Sequence, residues 1–400
     1  MKSAWLLAGI GVSSLALAAQ SPQDYGQWRG QTRDGSASSF VEPARWPDAL
    51  TRRWTAAVGE GYATPLIVGG VVYAFTRQQE SEVLTALDAR SGAERWHTAY
   101  PAPYSPSQQA EVHGAWPKAT PLFYRDRIFT VGIAGIVSAF DASGGKLIWQ
   151  SAAPAEQPFY GAASSPLAED GLVITHPGNY GPLTAFDAVT GRIKWTAGTG
   201  GFFSSPIAIT LNGTRQVVTA TQDAVIGVSL GGVVLWRQPW DGRSGSTTPV
   251  QSGGLIIVST PGSVAGLEPS VRDGAWAVRT VWTAGSVGMY LSSPVVVDDT
   301  LYGLSNRSRG QLFAMDARSG SVRWLGPPRA AENAAVVKGG NILFFLNDDG
   351  HLVVAKANRD RLEPLARYTV AGSSTWAQPA ISGNRIFVKD ATTITLWTVD

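Results

Sequence analysis

The side chains of this 400-residue sequence best suited to proton transfer or metal binding are four histidines, His97, His113, His176 and His351. Their spacing matches no zinc motif. The absence of Cys from the sequence removes disulfides, thiolate-ligated zinc, iron–sulfur clusters and thiol nucleophiles from the possible chemistries. Gly227-Val228-Ser229-Leu230-Gly231 has the spelling of a hydrolase nucleophile elbow, but that device needs a strand-turn-helix context and here the run occupies a hairpin slot. Recurrent Asp-x-x-x-Gly segments such as Asp88 to Gly92, and the tip Asn347-Asp348-Asp349-Gly350, lack the dense oxygen ligands and distal Glu of calcium loops. Turn chemistry accounts for them. Asn212-Gly213-Thr214 and Asn306-Arg307-Ser308 fit glycan acceptor sequons, which matter only on a glycosylating export route. Any functional site must therefore be assembled by the fold from residues distant in sequence.

The elements available for that task repeat. With 44% apolar and 16% charged residues the chain is too apolar to stay disordered, and 45 Gly, 24 Pro and 15 Trp point to many short strands joined by tight turns. The phrase Leu84-Thr-Ala-Leu-Asp-Ala-Arg-Ser-Gly-Ala-Glu-Arg-Trp96 returns at Val137 to Trp149, Leu183 to Trp195 and Leu312 to Trp324, with degenerate copies at Val225 to Trp236 and Val264 to Trp282. Trp54, Trp96, Trp149, Trp195, Trp236, Trp282 and Trp324 lie 41 to 53 residues apart, a period of a repeat architecture. A small-small-Pro mark keeps the same period: Ala63-Thr64-Pro65, Ala119-Thr120-Pro121, Ser164-Ser165-Pro166, Ser204-Ser205-Pro206, Thr247-Thr248-Pro249 and Ser292-Ser293-Pro294, then Asn333-Ala334-Ala335 and Ala377-Gln378-Pro379. Within a unit, Pro65 to Val68, Val71 to Thr76, Val83 to Leu87 and Glu94 to Thr98 read as four strands. The expected fold is all-β, an eight-bladed β-propeller of four-stranded antiparallel blades. The last unit has only three strands, so the N-terminal strand Leu50 to Ala56 is expected to complete it and close the ring. One Trp per blade is expected to pack between neighbouring blades.

The first residues read as an export signal: Lys2, an apolar stretch, then Ala16-Leu17-Ala18-Ala19 before Gln20. The stretch is short and interrupted for a membrane anchor. The division expected is a signal over 1–19, an arm over 20–49 and the propeller over 50–400, giving an exported, periplasmic or secreted soluble protein with no stable membrane insertion. Thirty-two basic against 30 acidic residues provide no field for gripping nucleic acid.

The phrase Ala-Leu-Asp-Ala-x-Ser-Gly-x-x-x-Trp, repeated round an eightfold ring, resembles the repeat of pyrroloquinoline quinone (PQQ)-like β-propellers, and the likeness covers nearly the whole chain after the signal. Gln27-Trp28-Arg29-Gly30-Gln31-Thr32-Arg33-Asp34-Gly35 looks like the leader of many exported members, which implies an arm laid over the ring. The resemblance implies two classes of function. One is a binding propeller, similar to the propeller subunit of the outer-membrane β-barrel assembly machinery, whose partners are envelope proteins. The other is a quinoprotein dehydrogenase with PQQ and calcium in the central funnel. Such dehydrogenases are usually much longer, and the alcohol-oxidising ones use adjacent cysteines that this chain lacks.

Propellers bind at the mouth of the central channel, on loops leading into the innermost strands. Those positions are Glu60 and Tyr62; His113, Trp116 and Lys118; Phe159 and Tyr160; Phe202 and Phe203; Arg243; Met289 and Tyr290; Glu332 and Asn333; and Trp376. Aromatic faces and a few polar groups converging on one axis suit a planar ligand or a peptide strand; the alternative is that the same aromatics only fill the channel. His113 is the one histidine in a mouth loop. The expectation is a monomeric, non-catalytic ring that binds an extended polypeptide or an envelope protein, with no catalytic residue or metal ligand assigned. The alternative, an alcohol or sugar oxidoreductase, would use PQQ, calcium on Glu332 and Asn333, and Glu60 as base.

Overall fold

The apolar runs punctuated by Gly69-Gly70 and by the Asp88 turn fold as the strands Leu66–Val68, Val71–Gln78, Ser81–Asp88 and Glu94–Pro101, hydrogen-bonded in that order as an antiparallel blade 1. This is a computed structural model, and it describes residues 21, 24–178, 181–201, 203–240 and 246–399. The residues read as a signal lie outside the described ones, as do Phe202 and Arg243. The same four-strand order recurs in residues 122–150, 167–197, 207–239, 250–284, 295–325 and 334–369, blades 2 to 7. Blade 8 takes three strands from residues 380–398 and its outermost from Thr51–Ala57. That strand runs antiparallel to Thr393–Thr398, with Thr51 opposite Thr398 and Ala57 opposite Thr393, so the ring is closed as the sequence implies. Among the described residues no helix is long and apolar enough to cross a membrane.

The repeated phrase is a packing device. Asp88 Oδ1 accepts the N–H groups of Arg90 and Ser91 at 3.0 and 2.9 Å, and Gly92 turns the chain at φ 74°. The same Asp pattern recurs at Asp141, Asp187 and Asp316. Each turn lies against the Trp of the preceding blade: a Cβ on Gly191 would come within 2.6 Å of the Trp149 ring, and the Trp149 indole N–H donates to Ala188 O at 3.2 Å. Within its own blade the Trp stands opposite a small residue, Trp96 opposite Ala86 and Trp195 opposite Ala185, and a β-bulge follows at once. Blade 5 departs from the pattern because its turn is drawn out into the hairpin Val264–Arg272 and Ala275–Ala284. Trp236 then donates to Gln216 Oε1 of its own blade, at 2.6 Å.

The core is a ring of clusters, each shared by two neighbouring blades: Phe75 and Leu84 of blade 1 with Ile128 and Phe140 of blade 2, or Leu304 and Tyr302 of blade 6 with Val336 and Phe345 of blade 7. Nearer the axis the small-small-Pro marks form a hydrogen-bonded belt. The N–H of the second residue donates to the hydroxyl of its counterpart in the next blade, from Gln378 to Thr64 (3.1 Å), Thr64 to Thr120 (3.1 Å), Thr120 to Ser165 (3.0 Å), Ser165 to Ser205 (2.9 Å) and Thr248 to Ser293 (3.0 Å). Blade 7 has Ala334 at this place. There the Ser292 hydroxyl donates to Asn333 Oδ1 at 2.7 Å and accepts the Ala334 N–H at 3.1 Å.

Candidate functional site

One end of the central channel is closed by the segment that precedes the first strand. Tyr25 pairs with Ile67 of blade 1, Gly26 O accepts the N–H of Phe123 in blade 2, and Lys338 of blade 7 bridges to Ser36. Two arginines fill the axis between these anchor points. Arg33 donates to the carbonyls of Ser165, Pro166 and Pro206 at 3.1, 2.8 and 2.9 Å, and Arg29 to Ser293 O at 3.2 Å and Pro294 O at 2.5 Å. Burial, with the neighbouring Arg29 charge, pulls the Arg33 guanidinium down to about 9, so it stays charged at neutral pH. The adjacent carboxylate belongs to Asp34, which pairs with Lys338 at 3.0 Å. Trp28, held by its indole N–H on Thr248 Oγ1 at 2.8 Å, faces the other way and forms the floor of a blind funnel of about 590 Å³.

The wall and rim are aromatic. Trp116 meets Tyr62 edge-on at 5.6 Å, Tyr62 stacks on Trp376 at 5.4 Å, and Trp376 meets His113 at 6.4 Å. The chain continues from His113 to Tyr160 at 6.4 Å and from Tyr160 to Phe203 at 5.8 Å. These rings come from segments before blades 1, 2, 3, 4 and 8, so ring closure is what brings Tyr62 and Trp376 face to face. The loop carrying His113 and Lys118 is fixed from below by buried groups. Arg77 donates to Ala102 O and Ala115 O at 2.9 and 3.1 Å, while buried Glu82 accepts the Tyr100 hydroxyl and the Ile133 N–H, both at 2.5 Å. Lys118 Nζ donates to the carbonyl of Tyr160. Burial lowers Lys118 to about 8, and burial together with the Lys118 charge lowers His113, favouring its neutral form.

Of the residues singled out from sequence, Tyr62, His113, Lys118, Tyr160, Phe203, Tyr290, Asn333 and Trp376 line the funnel. Trp116 and Phe159 sit one layer back, against Tyr62 and Tyr160. Met289 is buried in the core shared by blades 5 and 6. Glu60 and Glu332 are exposed and outside the lining, and Glu60 pairs its backbone with Arg77. Sequence reasoning passed over Trp28, Gln109, Ser205 and Asn306. Trp28 had a visible signal in the leader phrase, but nothing local to it indicates that it reaches the channel floor.

The donor set does not suit a quinone with calcium. Among the described residues the lining holds no carboxylate, Asn333 Oδ1 is engaged by Ser292, and no cluster of three His, Asp or Glu side chains gathers anywhere. No step through PQQ or calcium follows from these residues.

A family model described as outer membrane protein assembly factor BamB matches residues 79–326. The BamB of Yersinia pestis is 25% identical over 82% of this chain and 70% of its own length, and that of Moranella endobia 23% over 75% and 63%. A quinone alcohol dehydrogenase subunit of Komagataeibacter europaeus is 28% identical, over 36% of this chain and 20% of its own. Among solved structures, BamB from Moraxella catarrhalis superposes with a TM-score of 0.64 at 15% identity, covering 88% of this chain and 98% of that one. Quinohemoprotein alcohol dehydrogenase from Comamonas testosteroni gives 0.66 at 15% identity, covering 96% and 81%. At such identities the structural likeness shows the fold alone, which both functional classes share.

Proposed function

The chain belongs to the family described as outer membrane protein assembly factor BamB, and from that premise we propose that it is a non-catalytic binding module of the cell envelope whose funnel receives an extended segment of a protein partner. The observation that carries this is the unbroken series of aromatic contacts from Trp116 to Phe203 around a blind cavity whose described lining holds no carboxylate. Aromatic faces contribute large contact area at low entropic cost and make little demand on sequence, which suits a partner presented as unfolded chain. The relatives' name, an assembly factor for outer membrane proteins, supports such a client. On this reading the protein acts in the periplasm as a monomeric ring, its rigidity supplied by the strand that closes blade 8 and its specificity by the rim.

Site-directed photocrosslinking tests this. A crosslinking residue replacing Tyr290, which lines the funnel and is 48% exposed, should form discrete protein adducts in the intact envelope, and one replacing Val271 on the blade 5 hairpin, 41% exposed, should not. Equal adducts from both positions, or none from position 290, would contradict the proposal.

A further inference from the structure

Exposed apolar side chains gather on one margin of the ring. Leu147 and Ile148 of blade 2, Val189 and Ile193 of blade 3 and Val233 and Val234 of blade 4 are each 40–63% exposed, and all lie at or beside the turn between the third and fourth strands. The Trp contacts between blades make them neighbours. The blade 3 turn lies on Trp149, next to Ile148, and the blade 4 turn lies on Trp195, where a Cβ on Gly232 would come within 2.6 Å of the Trp195 side chain. Arg127 holds the Val189 turn by donating to Ala188 O and Val189 O at 2.7 and 3.1 Å. The corresponding places in blades 1 and 6 carry neutralised ions instead, Arg95 on Asp88 at 2.6 Å and Arg323 on Asp316 at 2.5 Å. An apolar patch in one register over three consecutive blades marks a contact surface.

The charge around the patch indicates what it meets. Lys146, Arg192 and Lys194 stand exposed among these side chains, and none closes a salt bridge among the described residues. The carboxylates of the same turns are occupied by backbone. Asp141 accepts the N–H groups of Ser143 and Gly144, both at 3.0 Å, and Asp187, within reach of the Lys194 charge, those of Val189 and Thr190 at 3.0 and 2.8 Å. Protein interfaces favour aromatic residues and avoid Lys. Aliphatic tips beside long basic side chains, with no exposed aromatic among them, instead suit the headgroup boundary of an anionic bilayer, where the stems stay in apolar surroundings and the cations reach phosphate. Strands alternate in direction, so these turns lie at the end of each blade opposite the funnel mouth. The arm begins at that end too, with the Gly69 N–H donating to Asp24 Oδ1 at 3.1 Å, and the apolar stretch read as an export signal precedes it in sequence.

We propose that this margin of blades 2 to 4 is a peripheral membrane-docking surface for an anionic phospholipid bilayer. The aliphatic tips enter the headgroup boundary, Lys146, Arg192 and Lys194 meet phosphate groups, and the funnel opens away from the bilayer. The surface is separate from the funnel and does not rest on what the funnel binds.

The sequence contains no Cys, so a single introduced Cys carries an environment-sensitive fluorophore at one place. Ile193→Cys so labelled should shift to the blue on addition of vesicles of phosphatidylglycerol with phosphatidylethanolamine, and labelled Leu325→Cys, at a position 47% exposed on the outer strand of blade 6, should not. Unlabelled wild-type protein should float with those vesicles roughly 5-fold more than with phosphatidylcholine vesicles, and added salt should reduce the difference. Lys146→Glu combined with Arg192→Glu should remove the preference for anionic lipid, and Leu325→Asn should leave it. Absence of wild-type protein from floated anionic vesicles overturns the inference, as do equal shifts from positions 193 and 325. A photocrosslinker at position 193 that captures a discrete envelope protein, while the vesicles recruit nothing, assigns the margin to a protein partner and overturns it as well. The wild-type flotation needs no variant to fold.

Discussion

At the scale of single residues, the clearest expectation concerns the rim. Trp376 stacks on Tyr62 and meets His113 edge-on, so Trp376→Ala should open the aromatic series at the ring's seam and weaken binding of an unfolded polypeptide at least 10-fold, while the melting temperature changes little. Calorimetric titration beside a thermal melt distinguishes this from general unfolding. A second expectation concerns pH. His176 is buried, its Nε2 3.0 Å from Thr219 Oγ1, and burial lowers it to about 4, below the ordinary 6.5 of an unfolded chain. The unfolded chain therefore takes the proton first. Stability from this residue is complete above about pH 6.5 and is lost as pH falls toward 4, by roughly 3 kcal/mol in all. Urea unfolding across that range should show the loss, and His176→Gln should flatten it; an unchanged slope in the variant would count against His176 as the source. Side-chain direction explains which site residues were legible. Loop position before each mark found Tyr62, His113, Lys118 and Trp376, but adjacent residues in extended chain point to opposite sides, so Glu332 beside Asn333 was placed near the mouth without facing it, and Glu60, bridged by its backbone to Arg77, lies outside the lining.

At the scale of the blade, the repeat was readable because its parts are local. The Asp turn, the Gly that follows and the Trp recur within thirteen residues, and their roles are those the spacing suggests. The small residue opposite each Trp and the hydroxyl in each mark were visible as letters only, since their partners lie across a strand or in the next blade. Trp195, lodged against the turn of blade 4 with its indole N–H on Leu230 O at 2.8 Å, tests the blade contact. Trp195→Ala should cost roughly 3 kcal/mol in urea unfolding. A loss below about 1 kcal/mol would mean the Trp positions contribute little to blade packing.

At the scale of the whole molecule, the arm and the closing strand turn a row of repeats into one object. Closure was legible from the three-strand last unit, whereas the floor was not, because Trp28 and Thr248 are 220 residues apart and no period links them. Arg29 and Arg33 together satisfy carbonyls before or at the start of blades 3, 4 and 6. Replacing both with Ala should lower stability by roughly 3–5 kcal/mol and admit solvent through the axis, seen as faster hydrogen exchange in residues 165–166 and 293–294. Unchanged exchange there would show that the channel is sealed by other means.

Paired calorimetric titrations of the purified protein decide between a polypeptide-binding funnel and a quinone site. One arm uses an unfolded outer-membrane β-barrel polypeptide, the other PQQ with calcium, each repeated on Trp376→Ala. A polypeptide-binding funnel should bind the polypeptide saturably, more weakly after the substitution, and show no calcium-dependent binding of PQQ. Saturable, calcium-dependent PQQ binding with no response to the polypeptide would contradict it.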